Sequence, residues 1–204
     1  MAPKLPPKPA YHHGDLPAQL VSVVRDLIET HGPDGFSVAE AARRAGVSSA
    51  APYKHFKDRP ELLRAVVSEA MDRLRQGMEA AAGQHPRGSL ESIAAIGQAY
   101  VDFARGGPGV FRLVFSLTEG HENAPELKAK GQASFGIVLR ATAERLGRAM
   151  DDPEVQHRAY ILWTAVHGHC FLTIDRKTDV LSAMIVDHDY LMTVTRAVLE
   201  QERG

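Results

Sequence analysis

Apolar residues recur at helical spacing along nearly the whole chain, and no apolar–polar alternation persists beyond a few residues. The pattern predicts an all-α fold of about nine helices. Leu20, Val23, Val24, Leu27 and Ile28 form the stripe of a first helix, which opens near Asp15, tolerates Pro17 in its first turn and stops at His31-Gly32-Pro33. Val38, Ala41, Ala42 and Ala45 mark a short second helix with Ser37 as N-cap and Gly46 as its end. Val47 turns back into the core, and Ser48 is placed to cap a third short helix with Pro52 as its fourth residue. Asp58 and Glu61 form a D-x-x-E capping box ahead of a longer helix. Its apolar face, from Leu62 and Leu63 through Val66, Val67, Ala70 and Met71 to Leu74, is wide enough to touch two layers.

Residues 81–89, with two glycines and a proline, are the clearest boundary. Beyond it helices are expected near 90–104, 110–117, 126–146, 153–174 and 188–201. The breaker GGPG separates the first two, a loop with Gly120 and Pro125 follows the second, and the span 175–187 is ambiguous. The expected organisation is an extended arm at 1–14, a three-helix unit at 15–60, a connecting helix at 61–82 and a second helical unit at 89–204. The arm holds four prolines with Lys4 and Lys8. It reads either as a loose terminus or as a basic arm able to follow a DNA minor groove.

Composition narrows the class. An apolar share of 44% can build a real core, and a net charge of −1 excludes a uniformly basic nucleic-acid coat, so any DNA affinity has to be local. Cys170 is the sole cysteine, which excludes an intramolecular disulfide and favours a reducing compartment. The first ten residues lack an apolar signal region, and the best apolar run, residues 160–174, contains His167 and His169. A soluble, cytoplasmic protein with no membrane partner is the expectation.

The local charge lies on one segment. Between residues 36 and 60, five Lys or Arg stand against Glu40 and Asp58. Two short helices joined by a tight glycine turn have the layout of a helix-turn-helix, whose second helix enters the DNA major groove. Double-stranded DNA is therefore the expected partner. The candidate DNA-binding residues are Ser37, Ser48, Ser49, Ala50, Ala51, Pro52, Tyr53, Lys54, His55, Lys57 and Arg59. Ser49, Ala50 and Ala51 are expected at base edges, and Tyr53 and Lys54 on phosphates. Lys57 and Arg59 would reinforce a phosphate at the next helix N-terminus. Phe56 reads as a core anchor, and His55 as a packing or a phosphate residue.

The stretch GVSSAAPYKHFKDRPELL resembles the recognition helix and following helix of TetR-type (TetR/AcrR) transcriptional regulators, which carry a similar Gly-Val-Ser, Tyr-x-His-Phe, basic residue and Glu-Leu-Leu. The resemblance covers roughly residues 11–75, including the YHHGDL at its start. WTAVHG at 163–168 and FRLVF at 111–115 are similar to the C-terminal domain of one branch, with a WHG-like motif. Pro17 departs from the arginine or other polar residue common there, which removes a phosphate contact. The resemblance implies a homodimer whose last two helices pack as a four-helix bundle, and a small-molecule effector held among the C-terminal helices.

Residues 153–174 carry two apolar stripes, which means burial between two partners. Val155, Ala159, Leu162, Val166 and Cys170, with Leu191, Val194 and Val198, are the candidate dimer interface. Phe103, Phe111, Phe115, Phe135, Leu139, Trp163 and His167 are the candidate effector-binding residues, with Trp163 and His167 four apart as the preferred pair; the alternative for each is plain core. No metal site, cofactor or catalysis is expected: His121, His167, His169 and Cys170 lack ligand spacing, and no nucleophile elbow, P-loop, dinucleotide fingerprint or HExxH occurs. The expected function is a ligand-responsive transcriptional regulator, a repressor that binds a palindromic operator as a dimer and is released by a small-molecule effector. Its rivals are an effector-independent architectural DNA-binding protein and a helical small-molecule-binding protein with a vestigial helix-turn-helix.

Overall fold

Asp15 starts the first helix: its carboxylate accepts the Ala18 N–H at 3.1 Å, and Pro17 lies in the first turn, where no N–H is needed. The computed structural model describes residues 15–115, 124–175 and 185–200. The expected arm, Gly120, His121 and most of the ambiguous span 175–187 lie outside the described residues. Helix α1 (Leu16–His31) ends at Gly32, whose φ of 76° suits a residue without a side chain. Helix α2 (Val38–Arg44) is capped by Ser37 Oγ, which accepts the Glu40 N–H at 3.1 Å. At the head of α3 (Arg59–Ala82), Asp58 Oδ1 accepts the Glu61 N–H at 2.8 Å, and the Glu61 carboxylate accepts the Lys57 N–H in return. Then come α4 (Leu90–Gly106), α5 (Pro108–Phe115), α6 (Pro125–Leu146), α7 (Pro153–Ile174) and α8 (Asp187–Leu199). The described residues contain eight α-helices and no strand.

The third short helix is a 3-10 turn, η1 (Pro52–Lys54), and not the α-helix expected from a Ser48 cap. Pro52 has no N–H to offer the Ser48 carbonyl, which instead accepts from Ala51 at 3.0 Å. Lys54 and His55 likewise reach back three residues, at 3.2 and 3.0 Å, before Phe56 makes a four-residue bond to the Pro52 carbonyl at 2.9 Å. With eight α-helices and this turn, the order of elements matches the nine expected.

Two hydrophobic cores share α3. Leu62, Leu63, Val66, Val67 and Ala70 pack with α1 and α2, while Leu74 and Met78 pack with α4, α6, α7 and α8. Helix α5 also serves both, with Val110 and Leu113 in the first core and Phe111 in the second. Each fully buried Leu, Ile, Val or Phe contributes about 1.5–3 kcal/mol relative to exposure, so both helices are pinned at each end. A carboxylate adds a specific tie: Glu29 of α1 accepts the Gly109 and Val110 N–H groups of α5 at 2.9 and 2.8 Å. At the far side Asp187 joins Arg105 of α4 and, at 3.0 Å, His169 of α7.

The candidate dimer residues are placed otherwise than expected. Val155, Ala159, Leu162, Val166, Cys170 and Leu191 are buried inside the single chain, and Val194 and Val198 pack partly buried against the second core. A helix with apolar residues on two sides does not say which side faces its own chain. Here the outward side carries Tyr160, Ile161 and Leu172, exposed by 59, 36 and 46%.

Candidate functional site

The solvent-facing head of the first core is built from α2, the glycine turn and η1. Gly46, with φ of 72°, reverses the chain, and Val47 and Phe56 fold back onto the core on either side. That leaves Ser48, Ser49, Ala50, Tyr53, Lys54, His55 and Lys57 exposed within the segment 48–57, Tyr53 by 57%. Ala51 is half-buried. Pro52 is buried and holds the turn from within, and Ser37 has its oxygen engaged in capping α2. Arg59 also turns inward: its guanidinium donates to the Pro33 carbonyl, lies 3.9 Å from Asp34 and sits 4.8 Å over the Phe36 ring. It ties α3 to the turn before α2 instead of pointing outward beside Lys57.

Two cations of the basic segment that are not among the candidate DNA-binding residues lie on the same head. Arg43 and Arg44 at the end of α2 both reach Glu40 Oε1, at 3.2 and 2.9 Å, and Arg43 is 73% exposed. The Arg44 hydrogen bond, with the nearby positive charges, holds the Glu40 carboxyl below its usual range. The spacing E-x-x-R-R on one short helix was the available signal, because residues three and four apart share a face.

The second site is a cavity between α3, α4, α5, α6, α7 and α8, with an interior of ≈ 90 Å³ within an envelope of ≈ 780 Å³ that includes its mouth. Met71, Leu74 and Met78 of α3 form one wall, and Ile93, Ile96 and Tyr100 of α4 another. Small residues make the room. A Cβ on Gly97 would stand 2.9 Å from Leu191 and 3.5 Å from Val166, and one on Gly131 would stand 3.5 Å from Met71. Of the candidate effector residues, Phe115, Phe135 and Trp163 line the cavity. Phe111 is fully buried core, Phe103 packs between the two cores, and neither it, Leu139 nor His167 is in the wall. Leu162, Val166, Leu191 and Val194, singled out for a dimer interface, are wall residues instead.

His167 stands one layer behind. Its ring is surrounded by Phe115 at 4.7 Å, Phe171 at 4.9 Å and Phe111 at 5.9 Å between centroids, and its Nδ1 lies 2.8 Å from the Tyr100 hydroxyl. Burial pushes the imidazole down and the phenol up, so both are neutral at pH 7 and the imidazole tautomer sets which of the two donates. Trp163 stacks obliquely with Phe135 at 4.9 Å and 31°. Its indole N–H comes near enough to the Tyr100 oxygen to offset part of the burial effect there, yet it falls short of hydrogen-bond geometry and Nε1 is buried without a partner. Among the described residues no group of three or more His, Cys, Asp or Glu could hold a metal ion, and no helix is long and apolar enough to cross a membrane.

A family model described as tetracyclin repressor-like, C-terminal domain, matches residues 93–197, and one of bacterial regulatory proteins, tetR family, matches residues 20–66. A protein of unknown function from Rhodococcus sp. RHA1 is 26% identical with a TM-score of 0.79, over 95% of this chain and 98% of that one. A tetR-family transcriptional regulator from Streptomyces coelicolor is 16% identical with a TM-score of 0.68, over 89% and 78%. The transcriptional regulator FadR from Bacillus subtilis, solved with stearoyl-CoA, is 17% identical with a TM-score of 0.62, over 90% and 95%. The latter two likenesses are of fold alone. No curated protein matches the sequence.

Proposed function

The chain belongs to the TetR family of bacterial regulatory proteins, and from that premise we propose that it represses transcription in the cytoplasm as a homodimer. Two copies of the exposed head grip a near-palindromic operator, and a small molecule filling the cavity releases it. In this reading residues 15–60 bind DNA, 61–82 connect, and the helices from residue 89 onward hold effector and partner.

One observation carries the proposal: α3 is an unbroken helix with the head's core at one end and the cavity wall at the other. Leu62 and Met78 are about 24 Å apart along it at 1.5 Å per residue. A ligand that shifts Met71 or Met78 therefore moves the same rigid element that carries the head. Helix α5 supports a second route, because Val114 and Phe115 reach the cavity while its N-terminus is held by Glu29 of α1. The architectural alternative without an effector predicts a filled second core, and the cavity counts against it.

On DNA, the chemistry of the head favours phosphate grip by Tyr53, Lys54, Lys57, Arg43 and Arg44 over base reading. Ser49 and Ala50 are small and discriminate weakly. Specificity then depends on holding two heads about 34–36 Å apart, one turn of the duplex. For the partner contact the outward stripe of α7, with Tyr160, Ile161, Thr164 and Leu172, replaces the buried set.

The test is fluorescence anisotropy on DNA from the protein's own upstream region over a range of salt. Affinity falls steeply with salt, by a log–log slope of about −0.9 per phosphate contact. Lys54→Ala weakens specific and non-specific DNA alike and reduces the slope by about one. A folded dimer that shows no binding beyond the non-specific level at any salt sinks the proposal.

A further inference from the structure

Among the described residues the wall of the cavity contains no Asp, Glu, Lys, Arg or His. Lys130, beside the wall residue Gly131, is bound to the Asp72 carboxylate and the Ser68 carbonyl. A charged group entering the interior would lose its water and find no counter-charge, a cost far above that of a neutral polar group. Two of the three wall hydroxyls, those of Tyr100 and Ser134, are engaged as well, the third being Thr195. Tyr100 bonds to His167 at 2.8 Å, and Ser134 donates to the Lys130 carbonyl at 3.1 Å. The Trp163 N–H, in contrast, is buried beside the Tyr100 oxygen with no acceptor in hydrogen-bond geometry among the described residues. Such a donor carries a standing desolvation penalty that an entering oxygen would relieve.

We propose that this cavity selects an uncharged, mainly apolar molecule bearing a hydrogen-bond acceptor, such as a ketone or ester oxygen, which the Trp163 indole N–H engages. The inference rests on the reading of the cavity as the effector site and names the chemistry of what fills it. Size sharpens it. The empty interior of ≈ 90 Å³ is smaller than the ~150 Å³ cavity that accepts benzene in another protein. A ligand of medium length therefore enters only by displacing side chains, and the unbranched thioethers of Met71 and Met78 yield most easily. Both lie on α3. The indole nitrogen is itself buried beside the Tyr100 hydroxyl, so the wall must also yield there for an acceptor to reach it.

Trp163 is the chain's single tryptophan, so its fluorescence reports on this site alone. The full chain is titrated with nonan-2-one, n-nonane, nonanoate and nonylammonium at neutral pH, with Trp163 emission and calorimetry as readouts. The ketone binds with a red shift, about 3–10-fold tighter than nonane, as one net hydrogen bond implies. Nonanoate and nonylammonium bind at least ~10-fold more weakly than the ketone. In Trp163→Phe, followed by calorimetry, the advantage of ketone over nonane disappears while nonane binding persists. If that variant does not fold, the four probes on the native chain still decide. A charged probe that binds as tightly as the ketone, a ketone no better than nonane, or no binding by any probe overturns the proposal. Operator anisotropy run in parallel separates the two readings. Ketone binding without operator release leaves the ligand chemistry standing and removes the effector role; release by a charged compound does the reverse.

Discussion

His167 and Trp163, four residues apart, show how a single helical turn separates two roles. Trp163 reaches the cavity, whereas His167 is walled off behind Tyr100 and Phe115. Because burial lowers the folded imidazole pKa below 6.5, the unfolded chain takes up a proton at a pH where the folded chain does not. Stability is thus undiminished above about pH 6.5, falls as pH drops from there toward the lowered folded value, and levels off below it. His167→Gln keeps an acceptor for Tyr100 but cannot titrate. Its Tm should fall less than that of the native chain between pH 7.5 and 5.5, and thermal melts at the two pH values check this; equal falls would mean that His167 does not contribute. The spacing of the pair was legible in the sequence, as was the aromatic character of its surroundings. Which member faces a cavity depends on ångström-scale rotation of α7 against α4 and α5, which spacing does not encode. Arg59 illustrates the same limit: its position at a helix start suggested a phosphate, but Pro33, Asp34 and Phe36, far back in the chain, hold it.

Helix α5 begins in a run of glycine and proline that reads, from sequence, simply as a breaker. Its structural role is a close approach. A Cβ on Gly109 would stand 2.9 Å from the Ile28 carbonyl and 3.1 Å from the Glu29 carboxylate, so only glycine lets α1 come near enough for Glu29 to cap α5. An anion at a helix N-terminus that also satisfies two N–H groups is worth about 1–2 kcal/mol. Glu29→Ala should therefore lower the urea midpoint with m unchanged, by a stability loss of that order. Gly109→Ala should lose at least as much, because carbonyl and backbone must also shift. If both variants melt like the native chain, the clamp is not formed in solution. The partner of the GGPG run lies about 80 positions earlier, and no local pattern could reveal it. Element existence was plain by contrast: 3.6-residue periodicity gave each α-helix, and α7 spans Pro153–Ile174 as its stripe predicts. Only where Pro52 withholds a donor did local chemistry override the pattern and turn a helix into η1.

On the proposed function a single head carries little sequence information, so the whole molecule has to supply what the residues do not. Two weak grips at a fixed spacing gain by effective concentration, and overall affinity exceeds that of one head by about 10²–10⁴ only while the spacing is held. Helix α7 is the element suited to hold it. Its inward side is consumed by the second core, and its outward side leaves Tyr160, Ile161 and Leu172 on the surface, with Thr164 and Gly168 between them allowing close approach. Ile161→Glu tests this without touching the core: the side chain faces outward, and glutamate forms helix at least as well as isoleucine. A charge buried opposite its own copy in a two-fold contact is repelled and desolvated. The expected result is a monomer by light scattering, with Tm and ketone binding at Trp163 close to native and operator affinity lower by at least ~10². Leu162→Glu, one position along, is the contrasting variant. That residue is only 4% exposed and faces the cavity, so the charge lands in the second core and the chain unfolds before any question of assembly arises. A dimer that survives Ile161→Glu would move the partner contact off this face of α7, and with it the account of how the two heads are spaced.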